Sequence, residues 1–406
     1  DGIVDANFLS SNQDQEVQCN GHTRFYRIEI DKGTDATYIL DITTADAANF
    51  ELFGPANYGH AQTSQLTENN NALGLIRGTV RVGTDVNIPV LNNTGNYNIS
   101  EAAQIWVDGG LVAKSNGTAI VPYGTARVSA GTFEALISSG FTLRDNGTIW
   151  VEGGIMNTNQ IRTSVLGASN VGGYIQTGGT VNVVGGSTNT DWYVFNLTYP
   201  GNVFTMTGGI LNILGANSKG GIFINSDPDN INVTEGIVNM EINNANDFII
   251  TSRAPFYNIT MDNVAGNAAL FVLDEGVDVA SSDEYLSAQP LLVKNNFTIE
   301  ANTFFDHNGN NVEIGRDFTI QAGGDYIYDA GKPNTTTING TANSLLAFYN
   351  RTAAGSDVQV FHNLTINKPS NAVVSLASGK TGGNLNQGKN RLLRVTGDAF
   401  KLLSGT

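Results

Sequence analysis

The chain has 406 residues, 40% of them apolar and only 14% charged, with a formal net charge of −16. The apolar share excludes a disordered chain, while the charged share falls well below the roughly 25% usual for soluble domains. An acidic chain with no basic stripe lacks the electrostatic footprint for nucleic acid or an anionic membrane surface, and a single cysteine, Cys19, excludes an internal disulfide framework and a cysteine-based zinc site.

The polar surface must come from Asn, Thr, Ser and Gly, and Gly alone counts 47. Gly and Asn accept positive φ, so this composition suits short strands joined by tight turns and does not suit helices. Cys19 reads as a buried small residue rather than a nucleophile. No segment approaches the roughly 18 continuous apolar residues of a membrane helix; the run from Ala268 to Leu273 is typical and has the length of a strand. The chain opens at Asp1 without Met and closes at Thr406 without a recognisable tail, which reads as a processed or partial piece of something longer.

In chain order, Tyr26-Arg-Ile-Glu-Ile30 and Thr37-Tyr-Ile-Leu-Asp-Ile42 read as strands around the turn Asp31-Lys-Gly-Thr34. Asn49 to Asn71 collects Gly, Pro and Asn and reads as a long loop. Residues 1–100 repeat less plainly than the rest and form either an N-terminal β-rich cap or the first coils. From there a repeat emerges. Its copies are Phe141-Thr-Leu-Arg-Asp-Asn-Gly-Thr-Ile-Trp-Val-Glu-Gly-Gly154, Tyr174-Ile-Gln-Thr-Gly-Gly-Thr-Val-Asn-Val-Val-Gly-Gly186, Phe204-Thr-Met-Thr-Gly-Gly-Ile-Leu-Asn-Ile-Leu-Gly215 and Ile231-Asn-Val-Thr-Glu-Gly-Ile-Val-Asn-Met-Glu-Ile242.

The physics of the unit is direct. Phe204 and Met206 alternate with Thr205 and Thr207, a period of two. Gly208-Gly209 then turns the chain, and Leu211 and Ile213 alternate with Asn212. Two short strands meet at a corner with apolar residues inside. One coil cannot bury its inner face alone, whereas stacked coils close a core and pair their backbones at about 4.8 Å per layer. Later copies follow: Leu291-Leu-Val-Lys-Asn-Asn-Phe-Thr-Ile299 is echoed by Asn311-Val-Glu-Ile-Gly-Arg-Asp-Phe-Thr-Ile320, and Leu392 to Leu402 reads as a further copy. Phe256-Tyr-Asn-Ile-Thr-Met-Asp262 and Phe361-His-Asn-Leu-Thr-Ile-Asn367 form a second family. The fold expected is all-β, a right-handed parallel β-helix over residues 101–406, with Phe141, Leu143, Phe204, Met206, Leu211, Ile213, Phe297, Ile299, Phe318 and Ile320 in the core. Asn-X-Ser/Thr triplets recur, among them Asn116, Asn146, Asn196, Asn258, Asn334 and Asn363. Alternating Asn, Thr and apolar residues generate them without any glycosylation signal.

At the Thr-Gly-Gly-X-Leu-Asn units and at Phe361-His-Asn-Leu-Thr-Ile-Asn-Lys-Pro-Ser370 the chain resembles the repetitive β-rich regions of large surface proteins of Bacteroidetes. Leu392 to Ser404 and Tyr26 to Gly54 have the same character. The resemblance covers residues 20–406 as a style of sequence, and its motifs specify a coil rather than a reaction. Such proteins are typically exported by the type IX secretion system, and several act as adhesins, including in gliding motility. The resemblance implies an extracellular place on a bacterial cell surface. It also implies contact with the type IX machinery during export, and adhesion to surface glycans or abiotic surfaces. The carboxy-terminal sorting domain of such cargo is not recognisable before Thr406.

Motifs for chemistry were sought on this frame. His22, His60, His307 and His362 form no His-Glu-X-X-His or other paired metal motif, and neither a Gly-X-Ser-X-Gly elbow nor a phosphate loop is present. Acid pairs of the kind that serve glycoside hydrolysis occur at Asp227/Asp229, Asp274/Glu275 and Asp283/Glu284. Asp227-Pro-Asp-Asn230 is a plain turn sequence, and Arg253 and Lys294 are merely nearby in sequence as bases. Asp274, Glu275, Asp278, Asp283 and Glu284 lie together without a basic residue and are the candidate Ca²⁺ ligands, although no EF-hand loop supports them. Trp192 and Tyr193, in a loop-like insertion, are the candidate glycan contacts, while Trp106 and Trp150 fall in strand patterns. The resulting expectation is a non-catalytic adhesin or stalk segment with glycan contact and no obligate cofactor. The alternative is a β-helix polysaccharide lyase or glycoside hydrolase.

Overall fold

In the computed structural model of the chain, residues 5–9, 12–53, 72–92, 95–163, 171–185, 193–278, 285–349, 359–379, 393–395 and 400–404 are described. The fold is a parallel β-solenoid of about 12 turns with almost no helix. The chain divides into two compact units, residues 1–189 with 197–210, and residues 190–196 with 211–406.

In the first unit each middle coil contributes three strands. Strand Ala103–Ala113 bends in its middle: its first half pairs with Leu73–Val82 and its second with Asn87–Ile88, all parallel. Thr125–Ala135 stacks on it, then Thr148–Val151 and Ile155–Thr158, then Gly173–Gln176 and Thr180–Val183. A third wall is built from Tyr97–Ile99, Ile120–Pro122, Phe141–Leu143 and Ile161–Thr163. Alternation decides which side chains enter. Val80, Ile105, Ala126, Ile149, Tyr174 and Phe204 form one in-register column, and all six are fully buried. Tyr174 and Phe204 stack with ring centroids 5.8 Å apart and planes 13° apart.

The corners require glycine. Gly109, Gly131, Gly154 and Gly179 occupy successive corners, each with positive φ. At Gly154, with φ +61°, a Cβ would also sit 2.6 Å from the Gly131 carbonyl oxygen. Stacking and backbone hand therefore demand the same residue.

The second unit repeats the scheme. One wall stacks the later part of Ile231–Ile242, then Asn258–Asn263, Phe297–Ile299, Phe318–Ile320, Ser344–Tyr349 and Val374–Gly379. A second stacks Ile222–Ile224, Phe248–Ser252, Phe271–Leu273, Phe304–Asp306 and Asp325–Tyr326. A third stacks Leu291–Val293, Val312–Ile314, Thr335–Ile338, Asn363–Asn367 and Phe400–Ser404. Phe297 pairs directly with Phe318, rings 5.0 Å apart and 5° from parallel. Among the described strands the sole antiparallel pair is Gly276–Asp278 with Tyr285–Ser287.

All ten expected core residues are buried at 1% exposure or less, and Cys19 is buried as well. Arg27–Asp31 and Ile39–Thr44 are strands as expected, each paired in parallel with others. Three details of the repeat reading are corrected. The first repeat copy is out of register, because Tyr174 stacks on Ile149 rather than on Phe141, which lies on another wall. Asn258–Asn263 and Asn363–Asn367 are on different walls despite their like sequences. In the string Leu392 to Leu402 it is the second strand, Phe400–Ser404, that lies on the wall holding the first strands, Leu291–Val293 and Val312–Ile314, of the earlier copies. The physical reason is common to all three. A strand–turn–strand string encodes a corner, and a three-walled coil has more than one corner to place it at. The ladder runs through residue 100, since Leu73–Val82 pairs with Ala103–Ala113. The loop expected at Asn49 to Asn71 lies outside the described residues beyond Phe53.

Candidate functional site

Function on a solenoid is carried by outward columns, because residues far apart in sequence meet there at one strand spacing, about 4.8 Å. The first unit carries one such column. Asp41, Arg81, Trp106, Arg127 and Trp150 follow one another in register on consecutive layers. Their inward neighbours, such as Ile149 and Val151, are core, so the alternation forces these five out. Arg127 lies between two indoles, 4.1 Å from the Trp106 ring centre and 4.4 Å from that of Trp150, and Arg81 lies 4.9 Å from Trp106. Carboxylates bind the guanidinium edges: Arg81 to Asp41 at 2.9 Å and to Asp108 at 2.5 Å, Arg127 to Glu152 at 2.6 Å. The Trp106 indole N–H donates to Ser129 Oγ at 2.7 Å, and Ser129 donates to Asp108 at 2.6 Å. Burial acts to raise the Asp108 carboxyl, but the hydrogen bonds from Ser129 and Arg81 and the charges of Arg81 and Arg127 outweigh it and leave it below its usual range. Both faces of Trp106 are covered by guanidinium groups. The column is a cross-layer brace, and the Trp106 indole does not offer a face to a sugar ring.

The second unit carries a column of another kind. Glu241 pairs with Asp262, and Glu300 follows Asp262 on the next layer, where its amide donates to the Met261 carbonyl. Glu241 and Glu300 are held above the usual carboxylate range, first by burial and then by the charge of Asp262. Beside them runs the neutral column Asn239, Thr260, Thr298 and Thr319.

At another corner of this unit two buried histidines meet. His307 and His362 have ring centres 6.4 Å apart, with Tyr326 5.2 Å from His307 and Tyr328 4.4 Å from His362. The Gly309 amide donates to His307 Nδ1 at 3.1 Å. Burial pushes His307 down to about 4, with smaller opposing contributions from Asp306 and His362. Lys332 lies nearby, bonded to Asn308 Oδ1 and paired with Glu275 at 3.2 Å.

The sequence candidates are distributed as follows. Tyr193 is 5% exposed, packed on Phe223 and Leu286, with its hydroxyl 3.4 Å from Asp274, so it is a packing residue rather than an open sugar platform. It is buried because Phe223, Ile249 and Leu286, from distant strands, pack against it. Trp192, Asp283 and Glu284 lie outside the described residues, and of Asp278 only the backbone, in strand Gly276–Asp278, is described. Asp274 caps the Gly276 amide at 3.2 Å, while Glu275, with its side chain 69% exposed, turns to Lys332. Among the described residues no group of three or more His, Cys, Asp or Glu could hold a metal ion. Asp227 precedes a short 3₁₀ turn over Pro228–Asn230, which contains Asp229, and its carboxylate pairs with Arg253 at 2.8 Å rather than capping the turn. Lys294 donates to the Val233 carbonyl at 2.6 Å. His22 lies 3.5 Å from Glu51, and His60 is outside the described residues.

The two outward columns were missed in the sequence. A signal for the first exists: Trp106-Val-Asp-Gly-Gly110, Arg127-Val-Ser-Ala-Gly131 and Trp150-Val-Glu-Gly-Gly154 share one frame ahead of the corner. No family model matches the chain, and neither a curated protein nor a solved structure is similar to it.

Proposed function

We propose that this chain is a non-catalytic scaffold segment of a bacterial surface adhesin. In this reading it is exported by the type IX route and presents glycan-contacting surface outside the cell. The observation that carries it is the braced column Asp41–Arg81–Trp106–Arg127–Trp150, which ties consecutive layers by stacking and ion pairs in addition to backbone pairing. A ladder of this kind resists separation of layers, the demand that adhesion under load makes. Cation–π contacts contribute about 0.5–2 kcal/mol each. Single-molecule pulling tests this: replacing Arg127 by Ala should lower the force at which the first unit opens. An unchanged force would remove the support. Cells lacking the protein should attach or spread poorly on surfaces while growing normally on soluble sugars. The resemblance at Phe361 to Ser370 supports the export route and the cell-surface location.

A second reading, a polysaccharide-cleaving enzyme, is favoured by one observation. Glu241, Asp262 and Glu300 stack carboxylates on adjacent layers, with Glu241 and Glu300 raised. Two carboxyls about 5–9.5 Å apart with unequal proton affinity are what glycoside hydrolysis uses. A reducing-end assay over a polysaccharide panel separates the readings. Release of reducing ends that is lost on Asp262→Asn would establish the enzyme and overturn the scaffold proposal.

A further inference from the structure

The turn over residues 306–311 of the second unit is a node between layers. It continues from strand Phe304–Asp306 and holds two residues of left-handed backbone, Asn308 at φ +52° and Gly309 at φ +81°. Asp306 Oδ1 accepts the Asn308 amide at 2.7 Å, and the Asn310 amide donates to the His307 carbonyl at 2.8 Å. Bonds leave this turn in both directions. Toward earlier layers, Asn308 Nδ2 donates to the Leu273 carbonyl and Asn310 Nδ2 to the Asp274 carbonyl, both at 3.0 Å, and the Asn311 carbonyl accepts the Leu291 amide at 2.9 Å. Toward later ones, Lys332 Nζ donates to Asn308 Oδ1, Asn334 Nδ2 to the Asn310 carbonyl at 3.2 Å, and the Thr335 amide to Asn311 Oδ1 at 2.9 Å.

A single imidazole holds the inner side of this node. His307 is 1% exposed, and its Nδ1 accepts the Gly309 amide. A ring nitrogen that accepts carries no proton, so this bond exists only in the neutral ring with its hydrogen on Nε2. Protonation would set a donor against a donor. His362, after strand Gln359–Phe361, is buried as well, and its Nε2 donates to the Asp329 carbonyl at 2.6 Å. Both rings thus bond to backbone rather than to a carboxylate. The charged groups around His307 oppose one another: Asp306 on its own strand and Asp329 on the next turn favour its proton, whereas His362 and Lys332 disfavour it, and Lys332 is itself paired with Glu275. Tyr326 and Tyr328 cover the two rings with neutral phenols. We propose that this corner is an acid-operated latch: protonation of His307 breaks its bond to Gly309, frees the turn and loosens the layers that the turn joins. The latch goes beyond the scaffold reading and does not depend on it. The sign follows from linkage. Burial holds the folded ring at about 4, whereas the ring of an opened turn binds its proton at the ordinary 6.5, so opening takes up a proton between those values and acid favours it.

The test is amide hydrogen exchange on the full chain, expressed as protection relative to intrinsic rates, at pH 7 and at about pH 4.5. The amides of Leu291, Gly309, Asn310 and Thr335 should lose about 50- to 100-fold of their protection in acid, the population shift that the two ring affinities set at that pH. Amides of Thr148–Val151, in the first unit, should keep theirs. His307→Asn retains an acceptor for the Gly309 amide but cannot titrate, and should hold its protection at both pH values. A loss below about fivefold in the unsubstituted chain would overturn the latch. So would an equal loss in His307→Asn, which would place the effect on the carboxyls of Asp306 and Asp329, or an equal loss at Thr148–Val151, which would mean general acid unfolding. A second readout needs no variant. In ring-nitrogen spectra of the histidine-labelled chain at about pH 5, at least one of the four histidines should still be neutral with its proton on Nε2. Four charged rings at that pH would overturn the proposal even if His307→Asn fails to fold.

Discussion

Lys368 offers the most direct test of how the coils are held together. It follows strand Asn363–Asn367 and is 1% exposed, yet it is an ammonium. Its Nζ donates to three backbone carbonyls, Gly315 at 2.9 Å, Asn339 at 2.5 Å and Ala342 at 2.9 Å. All three protons of the ammonium are thereby used, and Lys368 ties three stretches of chain at one corner. Lys368→Met keeps the apolar stem and removes the donor. Each acceptor left buried and unpaired costs about 1–3 kcal/mol. Against this, methionine escapes the desolvation that lowers the Lys368 pKa from its usual value. Taking roughly 1.5 kcal/mol per carbonyl and returning part of the total for desolvation leaves a net loss of about 3 kcal/mol. Solenoid stability is a sum over neighbouring layers, so a single global midpoint is the wrong readout. Native-state hydrogen exchange is the right one. Amides of Thr335–Ile338 and Asn363–Asn367 should exchange about 100-fold faster, since 1.36 kcal/mol is a factor of ten. Amides of Ile120–Pro122 should not change. Acceleration below about fivefold at the first two strands would refute the argument, because the three carbonyls would then be satisfied without the lysine.

Three further outcomes follow from the structure. His307 has a folded pKa of about 4 against 6.5 in the open chain, so the unfolded chain binds its proton first as pH falls. Its contribution is fully present above pH 6.5 and is lost between 6.5 and about 4, amounting to about 3 kcal/mol, or 2.5 pH units at 1.36 kcal/mol each. His307→Asn keeps an acceptor for Gly309 and should flatten urea stability over that window; an identical pH profile would count against it. Gly154→Ala meets both a left-handed φ and the Gly131 carbonyl, and should cost well over the roughly 1–2 kcal/mol of backbone hand alone. Gly266→Ala, with φ +63° and nothing within 4 Å, isolates that smaller cost, and equal melting losses for the two would show that stacking is not what demands glycine. Asp262→Asn should stabilise the chain by about 0.2–1 kcal/mol at pH 7 by removing like-charge pairs from the Glu241–Asp262–Glu300 column. The gain should shrink as pH falls and the neighbouring carboxyls protonate, and a loss of stability at pH 7 would mean that Asp262 has a favourable partner.

The inward half of the fold was legible because it obeys a local rule. Period two around a Gly corner placed Phe204, Met206, Leu211 and Ile213 inside without any knowledge of their neighbours. The corner glycines were legible for the same reason, since a single residue needs the positive φ. What was not legible is which layer lies on which. Turn length varies, so Phe297 meets Phe318 while Tyr174 meets Phe204 across a longer turn, and the loops leaving the corners carry the difference. In sequence Phe141 reads as the counterpart of Tyr174 because both open an apolar strand ahead of a glycine, and nothing in either string names its wall. Tyr193 differs for another reason: its burial depends on Phe223 and Leu286, which lie far from it in sequence.

The candidate sites stand on the outward columns, whose members lie on different coils and so form no motif contiguous in sequence. It does not follow that the outward residues were free to vary. In a parallel stack each outward side chain has its counterpart about 4.8 Å above and below. A charge placed there meets its neighbours at that distance, and it must be matched or it repels. The first unit matches them, with Arg81 between Asp41 and Asp108 and Arg127 beside Glu152. Where no arginine is supplied, the column turns to residues that both donate and accept. Asn182 donates to Asn157, which donates to Glu134, and Asn239 donates to Asn212. An amide can be repeated indefinitely in register, whereas a carboxylate cannot, and the raised carboxyls of Glu241 and Glu300 show the strain of trying. The 14% charged content and the abundance of Asn and Thr are therefore consequences of in-register stacking as much as of surface chemistry. By the same argument, the places where this chain departs from neutral ladders are where a ligand or a mechanical role should be sought: the braced indoles and the acid column.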